Sequence, residues 1–309
     1  MVKSEILSDK RHCPACDSGA ARDRGEKNGY EILACRSCGT IYTSRVPPPQ
    51  SESACDYESY YTEDNLTPPA FVFDRLDEIV AEYSPYRENN RLLDVGFGSG
   101  VMMQAAKRAG WTAMGQEISR TAIEHARSFD FDVFCGELVD AKYDDDYFDV
   151  ITCSEVLEHV NDPGELAVEM ARILRPGGLL WATTPHGKSI SERLLKLKWS
   201  LNCPPEHLQL FSISGMKTLL VKAGFRQVKV FTQGVNPFEI LRTLRGSGES
   251  SESNGSGEAD KEAFNRTQSS YQLNEFLTKS PGRQALKNVA NKVIRMSRLG
   301  DDLKIWAVK

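Results

Sequence analysis

Two rhythms of apolar and polar positions alternate through most of this chain. Phe71, Phe73, Leu76, Ile79, Val80 and Tyr83 recur at helical spacing, which predicts an amphipathic helix over 70–83. An apolar run then enters a glycine-rich turn across 91–100, and a helical pattern follows over 101–110. Beyond it, 111–116, 132–135, 148–153, 179–184 and 228–232 read as strands, while 120–128, 163–174 and 214–223 read as helices. Such alternation predicts a parallel sheet with helices on both faces, and ligands of such sheets bind at the carboxyl ends of the strands.

Both ends of the chain depart from this rhythm. Near the N-terminus two short strands, 30–34 and 40–43, sit among cysteines, and Val46-Pro47-Pro48-Pro49-Gln50 then breaks regular structure as a semi-rigid spacer. Tyr57, Tyr60 and Tyr61 follow in an acidic stretch that serves either as packing for a linker or as a lid. Towards the C-terminus, 237–245 and 274–297 look helical and 302–309 looks like a strand. The Ser/Gly/Glu-rich run between the two helices has almost nothing to bury and is expected to be disordered.

Composition narrows the class. With 309 residues, 40% hydrophobic and 26% charged, the chain has room for a core domain and small attachments. A net charge of -5 disfavours nonspecific grip on a nucleic-acid backbone. No apolar run approaches the roughly 20 residues needed to span a bilayer, so the expected location is cytoplasmic, without membrane insertion. Oligomeric state is not readable.

Four of the eight cysteines form two knuckles, Cys13-x-x-Cys16 and Cys35-x-x-Cys38, separated by eighteen residues. That is the spacing of a four-thiolate zinc site, and zinc would supply most of the stability of so short a segment. A redox pair is the alternative reading, though it needs only one such knuckle. Cys55, Cys135, Cys153 and Cys203 share no ligand spacing and are expected to pack as small apolar residues.

The glycine turn carries the next signal. Gly96, Gly98 and Gly100 let backbone amides approach a ligand, and Glu117, about twenty residues on at a strand end, suits the hydroxyls of a ribose. Asp94 lies just before the first glycine. A carboxylate there favours a cationic or amine-bearing ligand over a pyrophosphate.

On these residues the chain resembles the class I S-adenosylmethionine-dependent methyltransferases. Leu92-Leu93-Asp94-Val95-Gly96-Phe97-Gly98-Ser99-Gly100 resembles the first family motif, 148–160 the fourth strand and its exit, and Leu174-Arg175-Pro176-Gly177-Gly178-Leu179-Leu180 the turn into the fifth. The resemblance implies an α/β, Rossmann-like seven-stranded sheet with its last strand antiparallel and helices on both faces, preceded by a small zinc ribbon. It implies a core of 70–235 plus 301–309, with 1–46 as the ribbon, 47–69 as linker or lid, and 236–300 as an insertion containing the disordered segment 246–258. It further implies S-adenosylmethionine contacts at Asp94, Gly96, Phe97, Gly98, Gly100, Glu117, Ile118, Gly136, Glu137, Leu138 and Ser154.

Catalysis needs more than the donor site, because a hydroxyl acceptor must lose its proton. Glu155, Glu158 and His159, read as one turn of helix, share a face, and His207 in Pro204-Pro205-Glu206-His207 reaches the same pocket. The four either hold a divalent metal or leave His207, then His159, as general base. Here the chain resembles ubiquinone-biosynthesis O-methyltransferases and methyltransferases of small-RNA 2′-hydroxyls. The same Glu-x-x-Glu-His pattern also occurs in members without metal. His186 either contacts substrate or bonds to backbone. Trp181, Trp199 and Phe211 line an acceptor pocket or belong to the core.

Three functions are consistent with these residues. The first is O-methylation of a small-molecule or saccharide hydroxyl, with N- and C-methylation open. The second is an RNA methyltransferase whose ribbon grips RNA, although residues 1–46 hold only eight Lys or Arg against six Asp or Glu. The third is a catalytically silent cofactor-binding scaffold. The acceptor is not legible, since acceptor pockets in this fold are built from variable attachments.

Overall fold

A computed structural model describes residues 10–47, 66–246 and 280–309. Its first elements are three antiparallel strands, β1 (Ala21–Lys27), β2 (Tyr30–Cys35) and β3 (Ile41–Thr43). β2 and β3 follow the apolar runs. β1 was not foreseen, because Ala-Arg-Asp-Arg-Gly-Glu-Lys has no apolar face and forms only by pairing with β2. Asp17 (φ 64°) and Gly39 (φ 83°) turn the chain in the left-handed region directly after each cysteine pair, folding both pairs toward one point.

The alternating rhythm gives β4 (Arg91–Val95), β5 (Thr112–Glu117), β6 (Asp132–Cys135), β7 (Phe148–Ser154) and β8 (Leu174–Pro185), all parallel. After the two-residue strand β9 (Gln209–Leu210) come β10 (Lys229–Gln233) and β11 (Asp302–Val308). The seven-stranded sheet runs β10-β11-β8-β7-β4-β5-β6, and β11 is antiparallel to both neighbours.

Side chains of the central strands alternate between two buried layers. Leu92, Val150, Leu179 and Trp181 pack with Ile79 and Val80 of the first helix, Ala70–Ala81, with Tyr83 in the turn after it, and with Met102, Ala105 and Ala106 of Val101–Arg108. Leu93, Ile151, Cys153 and Leu180 face the opposite layer, with Met170 of Pro163–Ile173 and Leu219 of Ile213–Lys222. Cover on both faces explains why these strands read as continuous apolar runs. β8 starts earlier than the apolar run suggests, because the chain passes from helix at Ile173 straight into strand through Arg175-Pro176-Gly177-Gly178.

The N-terminal strands do not stand apart from this body. β3 pairs with β9, Ile41 opposite Leu210 and Tyr42 opposite Gln209, making a second, four-stranded sheet. Tyr30, Ile32, Ile41, Leu195, Trp199 and Leu210 form the cluster that joins the two units. Trp199 is fully buried there, which contributes on the order of 2–3 kcal/mol. Phe211 is fully buried in the main core and Trp181 lies against Tyr83, so all three aromatic residues weighed as pocket lining are core. At Gly215 a Cβ would lie 2.1 Å from Thr40 Oγ1, so the helix Ile213–Lys222 reaches the small sheet only because that position lacks a side chain.

The tyrosine segment with Cys55, the Ser/Gly-rich run after Gly246, and the start of the 274–297 helix lie outside the described residues. The described parts of the 236–300 stretch are two helices, Pro237–Gly246 and Pro281–Ser297.

Candidate functional site

Gly96, Gly98 and Gly100 follow β4 with φ values of 64°, 55° and 73°, and Gly100 caps the helix Val101–Arg108. A Cβ on Gly96 would stand 2.4 Å from Val156 Cγ2. Glu117, at the end of the adjacent β5, is buried beneath this loop. Its Oε2 accepts from the Gly98 amide at 3.1 Å, and its Oε1 accepts from the Ile118 and Ser119 amides at 2.7 and 3.2 Å. Three backbone amides thus fix the carboxylate beside the loop.

Asp94 is buried at the end of β4 and accepts from Thr152 Oγ1 at 2.6 Å. Burial pushes its carboxyl up to about 7. A cation brought to this position would draw the proton off.

On the third strand end, the Gly136 amide donates to the Glu117 carbonyl at 2.9 Å and Gln116 Nε2 donates to the Gly136 carbonyl at 2.5 Å. Leu138 is buried, Ile118 and Glu137 are exposed, and Phe97 is buried against Met103 and Ile123. Ser154 and Thr183 hydroxyls meet at 2.7 Å where β7 and β8 end side by side. The predicted cofactor residues therefore do gather at the carboxyl ends of β4, β5, β6 and β7.

The second cluster begins one residue beyond β7. Residues 155–159 form a turn rather than the expected helix, and Glu155 enters it at φ 55°. Within the turn Glu158 is 0% exposed: its Oε2 accepts from Thr184 Oγ1 at 2.8 Å, while Oε1 is buried without a hydrogen-bond partner. Burial raises this carboxyl to about 7. His159 Nδ1 donates to the Glu206 carbonyl at 2.8 Å and His207 Nδ1 to the Leu201 carbonyl at 2.7 Å, which makes Nε2 the acceptor nitrogen in both neutral rings. The rings meet edge to face with centroids 4.6 Å apart, and burial lowers the pKa of His159.

One ligand atom each from Glu158, His159 and His207 lies within 4.8 Å of the others. Glu155 is not in that group: its place in the set presupposed a helix, and the chain turns instead. Two histidines oriented by backbone carbonyls beside a buried carboxylate, whose Oε1 lies 3.9 Å from His159 Nε2, form a donor set that fits a divalent cation.

Distant residues hold this cluster, and sequence reading did not single them out. Gln209 Nε2 donates to the Leu157 and Val160 carbonyls at 2.7 and 2.8 Å, and the Leu208 amide donates to the Glu158 carbonyl at 2.8 Å. Arg11, beside the first cysteine knuckle, donates to the Leu208 carbonyl at 2.8 Å and to Gln209 Oε1 at 3.1 Å. His186 is buried, with Nδ1 donating to the Gly300 carbonyl at 2.9 Å, so it is tied to backbone.

The four knuckle sulfurs also converge. Cys13 and Cys38 Sγ are 3.5 Å apart, Cys16 and Cys35 Sγ likewise, and all four lie within 4.8 Å. A zinc ion about 2.3 Å from each sulfur sets tetrahedral edges of about 3.8 Å, which these positions fit.

The sequence pattern of a family described as a methyltransferase domain matches residues 70–230, just over half of the chain. Ubiquinone biosynthesis O-methyltransferases are similar over a shorter segment. That of Thiobacillus denitrificans is 35% identical over 102 residues, 30% of this chain and 44% of the relative; that of Methylococcus capsulatus is 35% identical over 114 residues, 35% and 48%. The match thus spans less than half the length of these relatives. A crystal structure described as a SAM-dependent methyltransferase from Archaeoglobus fulgidus superposes with a TM-score of 0.51 at 18% identity, covering 82% of this chain and all of that one.

Proposed function

The chain belongs to the class I S-adenosylmethionine-dependent methyltransferases, and on that premise we propose that it methylates a hydroxyl of a small molecule or saccharide. The observation that carries the hydroxyl reading is the convergence of Glu158, His159 and His207 one turn beyond β7, next to the strand ends that bear Asp94 and Glu117. The similarity to ubiquinone biosynthesis O-methyltransferases supports the same acceptor atom.

S-adenosylmethionine supplies an activated methyl group on a sulfonium. In this reading Glu117 takes the ribose hydroxyls, Asp94 faces the cationic amino-acid end, and Ile118, Glu137 and Leu138 border the adenine. Ser154 stands at the mouth between donor and acceptor. Holding the acceptor oxygen in line about 3 Å from the methyl carbon is the larger part of such catalysis.

Glu158 Oε1 and the Nε2 atoms of His159 and His207 would hold a divalent cation, whose contribution is to lower the pKa of a bound hydroxyl. Cys13, Cys16, Cys35 and Cys38 would hold a structural zinc that fixes β2 and β3. Should the transfer proceed without the cation, His207 Nε2 takes the hydroxyl proton, its ring held by Leu201.

The test is methyl transfer from labelled S-adenosylmethionine to catechol and hydroxyl-bearing saccharides, with and without chelator. Loss of transfer on chelation, restored by magnesium, with donor binding intact, supports the metal-assisted reading. Transfer that survives chelation but not His207→Gln assigns the proton to His207. Cofactor binding with transfer only to RNA or to amines would overturn the hydroxyl proposal.

A further inference from the structure

A groove of about 650 Å³ lies between the edge strand β10 and the helix Pro281–Ser297. Half of its lining is cationic: Lys217, Lys229, Lys292, Arg295 and Arg298, without a single carboxylate. Among the described residues none of the five has an ion-pair partner, and Arg295 instead lies over the Phe231 ring at 4.0 Å. In a chain of net charge -5 this accumulation is local. Residues 280–300 carry five Lys or Arg and no Asp or Glu.

The same helix carries an exposed apolar stripe that begins at the groove's rim. Val289, Val293 and Met296, spaced as one stripe, are 61%, 59% and 75% exposed. Half-buried Ile294, whose carbonyl accepts from Thr232 Oγ1 at 3.2 Å, marks the side nearer the sheet; Met296 borders the groove, and Val289 and Val293 continue from it along the exposed side. A surface helix of a water-soluble body normally has the reverse arrangement.

We propose that this face docks on an anionic phospholipid bilayer, phosphates meeting the groove cations and Val289, Val293 and Met296 entering the acyl boundary. A soluble phosphate or a nucleic acid would satisfy the cations and leave the stripe in water. An apolar partner groove would bury the stripe and leave the cations uncompensated. A lipid interface engages both, at the shallow depth typical of basic amphipathic helices.

The test is cosedimentation of the full chain with vesicles of phosphatidylcholine, with and without phosphatidylglycerol. Binding should require phosphatidylglycerol and weaken as salt is raised. Lys229→Gln/Lys292→Gln should lower partitioning about thirtyfold, each cation at the surface being worth about 1 kcal/mol. Val293→Ser/Met296→Ser should lower it even at low salt. All four side chains are exposed, so unchanged thermal unfolding and cofactor binding serve as controls. Absence of vesicle binding, equal binding to neutral vesicles, or a lysine variant that binds like the parent overturns the proposal. So does binding of inorganic pyrophosphate or an RNA oligonucleotide, lost in the lysine variant, without vesicle binding.

Discussion

The amide of Thr43, on β3, donates to the carbonyl of Leu208 at 2.9 Å, one residue beyond His207. The loop that carries a candidate catalytic histidine is therefore an edge partner of the N-terminal unit. Loss of that unit should reach the site. Replacing Cys13 and Cys16 by Ser is expected to abolish bound zinc, measured by elemental analysis, and to cut methyl transfer by more than about tenfold, because β9 and the Arg11 contacts depend on β3. Zinc loss with full activity would show that β9 holds its place alone.

Glu117 accepts from the Gly98 amide of the glycine loop and from the Ile118 and Ser119 amides, and in the proposed reading it takes the ribose hydroxyls. Glu117→Ala should weaken S-adenosylmethionine binding about 10- to 100-fold in calorimetry, the worth of one or two charge-assisted hydrogen bonds. An unchanged affinity would remove Glu117 from the donor site.

Asp94 gives a pH signature. Its folded pKa, about 7, lies above the ordinary carboxylate value near 4, so the folded protein binds more protons between these limits and its stability falls as pH rises through them. A bound cation prefers the deprotonated form. Affinity for S-adenosylmethionine is therefore expected to rise about tenfold from about pH 6 to about pH 8, and Asp94→Asn should flatten that slope while weakening binding at the upper end. Calorimetry in buffers of different ionisation enthalpy would show the proton released.

Gly215→Ala tests the joint between the two sheets. A methyl group 2.1 Å from Thr40 Oγ1 requires Thr40 to turn away from its bonds with Cys38 Sγ and the Ser212 amide, or the helix to move. The expected cost is about 1–3 kcal/mol in chemical unfolding, and Gly215→Ala/Thr40→Ala should recover part of it.

Motifs with local physical causes were legible. The glycine spacing, the acid at the end of β5 and the two cysteine knuckles each need residues of fixed type within a short stretch, and the helix and strand periods of 70–235 reflect faces that the core must cover. The carboxylate–histidine set was legible by composition, but its geometry was not: a helix was expected after β7, whereas pairing of the Glu155 amide with the Thr183 carbonyl and of Leu208 with Glu158 bends that segment into a turn and leaves Glu155 outside the three converging groups.

By itself the sequence determined the sheet's alternating order, the donor loop and the sulfur set, because each is written in period or spacing. Only the tertiary structure decided that Thr152 steadies Asp94, that Thr184 and Gln209 hold the Glu158 turn, and that Arg11 and Thr43 clasp the His207 loop. Those partners stand from about 26 to nearly 200 positions apart, and no local preference of the chain encodes them. They arise when β3 finds the edge of β9 and the strands β4, β7 and β8 come side by side.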